Sequence, residues 1–200
     1  KAWQSSEEAL ALSVLLKGVP PYLMQMLPIL FGIGARRALS LLCGREILLK
    51  WPNDLLLGEK KIAGILCESA GFGEDALAVC GIGVNLLQEP SFFAELPYGS
   101  SLWVECGVRV SPAVAGGAIL TAFEQVLEEF AAGGFSPLRE EYAACCINLG
   151  REVRVVTPAG EQTGFAYGIG EDGCLLVKAP AGELAIRSGE ASVRGVYGYV

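Results

Sequence analysis

Histidine is missing altogether from this 200-residue chain. Imidazole is the commonest zinc ligand and the usual proton acceptor beside a nucleophilic serine or cysteine. Its absence excludes the common zinc sites and Ser-His or Cys-His catalysis within the chain. Seven cysteines are present, but none stands in a Cys-x-x-Cys pair. Cys145 and Cys146 are adjacent, a spacing that suits neither a metal nor a bridge between them. The cysteines read as small buried apolar side chains in a reducing cytosol. Positive charge is also scarce: 15 Lys and Arg face 22 Asp and Glu, a formal net charge of −7. No basic stripe marks a nucleic-acid surface, and an acidic chain that binds a polyphosphate needs locally placed cations. No apolar run reaches the roughly 20 residues of a membrane helix. The most apolar stretch, Pro20 to Ala35, is interrupted by Pro21, Gln25 and Pro28 and closed by Arg36-Arg37. No secretory signal is visible, and the first residue is Lys1 rather than methionine, so the natural protein is expected to extend upstream.

What remains is a chain that is 52% hydrophobic and 18% charged, apolar enough for a sizeable core and too apolar for disorder. Leu10 to Lys17 reads as a buried strand ended by Gly18-Val19-Pro20-Pro21. Tyr22 to Cys43 reads as one helix, with Pro28 near its first turn and Gly44 as its stop. Ile47 to Trp51 is a strand broken by Pro52. Lys61 to Ser69 and Ala76 to Leu86 form a hairpin across Gly71-Phe72-Gly73-Glu74-Asp75. Gln88 to Ser101 is a loop. Ser111-Pro112 opens a helix whose apolar face is Ile119, Phe123, Val126, Leu127 and Phe130, ended by Gly133-Gly134. A short helix runs from Ser136-Pro137 to Gly150. From Arg151 the texture changes to five short strand-like pieces with tight turns, the signature of a small β-barrel. The predicted class is α+β, with a mixed or antiparallel central sheet and helices on one side. The expected domains are residues 1–149 and 150–200.

Polar groups collect at two strand ends, in Lys50-Trp51-Pro52-Asn53-Asp54 and in Lys60-Lys61-Ile62-Ala63-Gly64-Ile65-Leu66. Residue by residue this is a Pro-Asn-Asp turn beside solvated lysines. As a block it is more: Lys61 stands at the mouth of an apolar strand, where an ammonium can meet an acidic ligand. Gly64 lets a ligand or a backbone come close. Gly81-Ile82-Gly83-Val84-Asn85 puts two glycines inside a strand, a cost in stability unless something needs the space. It is no dinucleotide fingerprint, because no Gly-rich turn and helix follow.

These three blocks, in this order and spacing, resemble the central motifs of the biotin protein ligases. Ser188-Gly189-Glu190-Ala191-Ser192-Val193-Arg194 resembles the end of that family's C-terminal SH3-like barrel, and the resemblance covers nearly the whole chain. It implies two steps. Biotin's carboxylate attacks the α-phosphate of ATP, carried with Mg2+, to give biotinyl-5'-AMP and pyrophosphate. A lysine of a biotin carboxyl carrier protein then attacks the activated carbonyl and AMP leaves. Step one brings anion to anion, and fixed cations in a dry site relieve the repulsion. By the resemblance, Lys61 is the cation between carboxylate and α-phosphate and Lys50 a second one. Asp54 either steers the incoming lysine's proton or holds the cations. Asn53, Asn85, Trp3 and Arg194 fall at the nucleotide. Lys61, Gly64, Leu66, Gly81 and Gly83 line the biotin slot, and no residue is assigned to a metal. The family further implies a cytoplasmic location, no membrane and a homodimer.

At the chain start the resemblance departs from the family's pattern. Trp3 and Ser5 fit, but Ser6 and Glu8 replace a proline and a glycine, and the family's Arg/Gly-rich loop has no counterpart. A fragment of a ligase and a non-catalytic biotin- or adenylate-binding homologue both fit that departure. A lipoate-type acyl-adenylate ligase is a third alternative, disfavoured by Lys50-Trp51-Pro52-Asn53-Asp54.

Overall fold

The computed structural model describes residues 6–70, 76–157, 160–189 and 192–195. Strands β1 (Ala9–Lys17), β2 (Leu48–Lys50), β3 (Asp54–Leu57), β4 (Lys60–Ala70) and β5 (Leu77–Asn85) form one antiparallel sheet in the order β1-β5-β4-β3-β2. Helices α2 (Leu27–Cys43), α4 (Pro112–Gly133) and α5 (Ser136–Cys145) pack against it. The remaining helices are short: α1 (Pro21–Met24), α3 (Leu102–Cys106) and a 3-10 turn at Pro90–Phe93. Strands β6 (Arg151–Thr157), β7 (Gly160–Ile169), β8 (Leu175–Ala179), β9 (Gly182–Ile186) and β10 (Ser192–Gly195) form a second antiparallel sheet, ordered β10-β6-β7-β8-β9. The α+β class and the strand-rich C-terminal unit agree with the sequence reading.

Four local readings change. β1 is an edge strand with alternating exposure, not a buried one: Leu10 is buried while Leu15 is 55% exposed. The first helix is broken at Gln25, because a continuous helix would drive the Pro28 ring into the carbonyl of Met24. Leu102–Cys106 is a helix that sequence pattern missed. At five residues it shows no periodicity, and its one signal is Ser101, whose Oγ accepts from the Val104 amide at 3.2 Å. The last helix stops at Cys145 rather than Gly150. Beyond it the Ile147 amide donates to the Leu49 carbonyl at 2.8 Å, and Asn148 Oδ1 accepts from the Trp51 amide at 2.8 Å. Both bonds draw the chain onto the edge of β2 instead. Residues 71–75, in the connection between β4 and β5, lie outside the described residues.

The core sits between the first sheet and its helices. Gly44, left-handed at φ 65°, ends α2 as expected. Gly34 lets α2 and α4 approach closely, since a Cβ there would stand 2.8 Å from the Phe123 Cα, and beside it the Phe31 and Phe123 ring centroids are 4.5 Å apart. Arg37 ties the helices together, gripping Glu129 of α4 at 2.7 and 2.9 Å and Glu141 of α5 at 3.0 and 2.6 Å. The second sheet joins this core through the buried Trp51, whose indole Nε1 donates to the Gly173 carbonyl at 3.0 Å.

Candidate active site

Strand register builds the site on the sheet face opposite the helices. Ala11 pairs with Gly83, Gly83 with Gly64, Gly64 with Asp54, and Asp54 with Lys50. One row across all five strands is therefore three tiny residues followed by a carboxylate and an ammonium. The next row is Ser13, Gly81 and Leu66. The floor is backbone, bordered by the exposed apolar side chains Leu66, Leu15 and Val79. Such a trough suits a flat, largely apolar molecule with an acidic end directed at the lysines.

Lys61 reaches this face because of an irregularity. Residues 61 and 64 differ by three and would face opposite ways on a regular strand. Register slips where Leu55 pairs with Ala63 but Leu56 pairs with Lys61. The β-bulge admits Ile62 as an extra residue, and Ile62 and Ala63 are both wholly buried. The Lys61 ammonium thus lies over Gly64, 3.1 Å from where a Cβ would be. Space left by this glycine is occupied by the cation as much as by any ligand. A loop holds Lys61 from behind: its amide donates to the Tyr98 carbonyl at 2.6 Å, and its carbonyl accepts from the Ser100 amide at 3.0 Å. This loop contact escaped the sequence reading, and only the turn-forming Gly99-Ser100 hints at it.

Asp54 stands between two cations. Its Oδ1 accepts from Lys61 Nζ at 2.5 Å, and its Oδ2 is 4.0 Å from Lys50 Nζ. Asp54 opens β3 rather than ending in the turn expected for it. Burial pushes the Lys50 ammonium below the ordinary lysine range. Asp54 opposes that shift, while Lys61 and Arg194 add to it. Arg194 of β10 is exposed and lies within electrostatic reach of Lys50. The second sheet therefore contributes positive potential to the same place: two ammonium groups flank the carboxylate and Arg194 reaches one of them in a chain of net charge −7, a local concentration of positive charge.

The asparagines hold the site's frame. Asn53 Nδ2 donates to the Ile65 carbonyl at 2.6 Å, fixing the β2–β3 turn to β4. Buried Asn85 donates from Nδ2 to the Ser100 carbonyl at 2.9 Å and accepts on Oδ1 from Gln88 Nε2 at 3.3 Å. These bonds anchor the loop that holds Lys61. Trp3, placed by sequence at the nucleotide, lies outside the described residues. Among the described residues no group of three or more Cys, Asp or Glu side chains could hold a metal, and no helix is long and apolar enough to cross a membrane.

Residues 1–85 match the Biotin/lipoate A/B protein ligase family, and residues 149–194 match the Biotin protein ligase C terminal domain. The chain is 36% identical to the biotin--[acetyl-CoA-carboxylase] ligase of Paracoccus denitrificans over 164 residues, covering 79% of this chain and 68% of that one. It is 28% identical to the bifunctional ligase/repressor BirA of Bacillus subtilis, covering 95% of this chain but only 60% of that relative. Among solved structures, a biotin protein ligase from Aquifex aeolicus in complex with biotin and ATP superposes with a TM-score of 0.84. It has 29% identity, with 98% of this chain and 82% of that one covered.

Proposed function

The chain belongs to the biotin protein ligases, and from that premise we propose that it activates biotin with ATP and passes the biotinyl group to a lysine of a biotin carboxyl carrier protein. The observation that carries this reading is the Lys50–Asp54–Lys61 cluster at the end of a glycine-floored trough. The trough has the form to take biotin's fused rings and chain, with the carboxylate at the cations. Lys61 sits between biotin's carboxylate and the α-phosphate, neutralising both as a carboxylate oxygen bonds to phosphorus and pyrophosphate departs. Lys50 and Arg194 add positive potential for the phosphates. Magnesium enters with the nucleotide, bound to its phosphates as part of the substrate. Asp54, with an oxygen toward each lysine, holds the cations in place. In the second step the carrier's neutral amine attacks the acyl carbon, loses its proton and expels AMP.

Asn53 and Asn85 support the nucleotide end chiefly by fixing the turn and the loop around it, with Trp3 contributing from upstream. Gly64, Leu66, Gly81 and Gly83 form the biotin side. Residues 1–149 carry both substrates and 150–200 form the appended barrel, a division supported by the two sheets and the two family matches. A cytoplasmic location and self-association as a homodimer belong to the same proposal.

The test uses the full-length protein with biotin, ATP and magnesium and measures pyrophosphate release. Biotin-dependent release is expected, reduced on the order of 10²–10³-fold in Lys61→Ala. No biotin-dependent release from the wild type would sink the ligase reading. Full activity in Lys61→Ala would overturn the role of that lysine.

A further inference from the structure

Cys67 and Cys80 are direct partners in the β4–β5 register. Antiparallel partners alternate between pairs that exchange two ladder hydrogen bonds and closer pairs that exchange none, and two observations fix which kind this is. The Ile65 amide donates to the Asn53 carbonyl at 2.8 Å, and the Ile65 carbonyl accepts from Asn53 Nδ2. Both backbone groups of Ile65 therefore point at β3. By alternation Leu66 points at β5 and Cys67 again at β3. From the other side, the Gly18 amide donates to the Ala76 carbonyl at 2.9 Å. Ala76 thus points at β1, and so, four residues on, does Cys80. Cys67 and Cys80 are a non-hydrogen-bonded pair.

In that class of pair the Cα atoms stand about 4.5 Å apart and the side chains are at their closest. A disulfide spans Cα separations of roughly 4.4–6.8 Å. Both side chains lie on the helix-covered face, Cys80 buried in line with Ala78, Ile82 and Val84, and Cys67 half-buried in line with Ile65. The two thiols perturb each other: the Cys80 thiol, with burial, pushes Cys67 up, and the Cys67 thiol brings Cys80 below the ordinary thiol range. Two-step exchange then has an order. The more accessible Cys67 meets an oxidant first, and Cys80, buried beside it, resolves the product.

We infer that Cys67 and Cys80 are a redox modification site, closing to an intramolecular cross-strand disulfide when the chain meets a low-molecular-weight disulfide such as oxidised glutathione. Cys67 sulfur attacks the oxidant, forming a mixed disulfide and releasing one thiol, which takes the Cys67 proton. Cys80 sulfur attacks Cys67, forming the protein disulfide and releasing the second thiol with the Cys80 proton. Two protein thiols are oxidised and one oxidant molecule is reduced to two thiols. Leu66 and Gly81, the next residues along each strand, face the trough, so the bond would form directly behind its floor. The inference does not depend on the proposed activity.

To test it, the protein is incubated with oxidised glutathione, its remaining thiols are alkylated, and it is cut with a glutamate-specific protease, which separates the two cysteines at Glu68 and Glu74. The expected result is a peptide pair joined through Cys67 and Cys80, with two of the seven thiols lost to alkylation and restored by dithiothreitol. Cys80→Ala should instead leave glutathione attached to Cys67. Three results in the wild type would each overturn the inference: a stable glutathione adduct on Cys67, no linkage at all, or a linkage between other cysteines alone.

Discussion

On the helix side of the first sheet, β4 and β5 present Ile62, Ala63, Ile65, Ala78, Cys80, Ile82 and Val84, nearly all without solvent contact. On the other side the same two strands present Gly64, Leu66, Gly81 and Gly83, next to a carboxylate between two ammonium groups. The first side is chosen for volume. The second is chosen for absence of volume and for charge. Stability and chemistry should thus separate by face, because burial of apolar area stabilises only the covered side, while the open side leaves its floor bare for a ligand.

The largest expected effect is on the covered side. Phe123→Ala removes a ring that is 2% exposed and packed on Phe31, and should cost about 3–5 kcal/mol of stability, seen as a lower denaturant midpoint. Lys61→Ala is its counterpart on the open side. It should lower the rate by an amount equal to about 2.7–4 kcal/mol of activation free energy, with a smaller loss of folding stability than Phe123→Ala because Lys50 remains beside Asp54. An equal loss of stability in both variants would erase the distinction between the faces. Gly34→Ala tests the helix contact by overpacking. A methyl 2.8 Å from the Phe123 backbone forces α2 and α4 apart, and about 1–3 kcal/mol should be lost in the melting curve. The smallest effect is a slope. Folded Lys50 has a pKa below 10.5, so between that lowered value and 10.5 the unfolded chain holds a proton that the folded chain has lost. Stability should rise with pH through this window. In Lys50→Met that rise should flatten, as measured by denaturant midpoints over the same pH range.

Which parts of this contrast are legible in sequence follows the same division. The covered side announces itself through apolar periodicity and caps: Ser111-Pro112 and Gly44 stand where the structure ends or begins helices. The lysines and glycines of the open side are legible as three motif blocks. Their meeting is not, because it depends on register between distant strands, which facing strands and turns set together and no one strand's pattern fixes alone. Asn53 and Asn85 show the limit most clearly. Their side-chain type suggests ligand contacts, but each amide donates to a backbone carbonyl far along the chain, Ile65 or Ser100. Arg194 comes within reach of Lys50 from β10, which pairs with β6 and follows Lys50 by more than a hundred residues in sequence.

The bulge at Ile62 makes chain length, as well as residue identity, part of the site's specification. Orientation along a strand is a matter of parity, and the extra residue is what gives position 61 the parity of position 64. Exchanging Ile62 for another aliphatic side chain alters only how a gap is filled. Deleting it restores perfect alternation and turns the Lys61 ammonium inward, among the helices, with every amino acid the chemistry requires still present. For this strand, the number of residues between the lysine and the glycine therefore matters to the site as much as what those residues are.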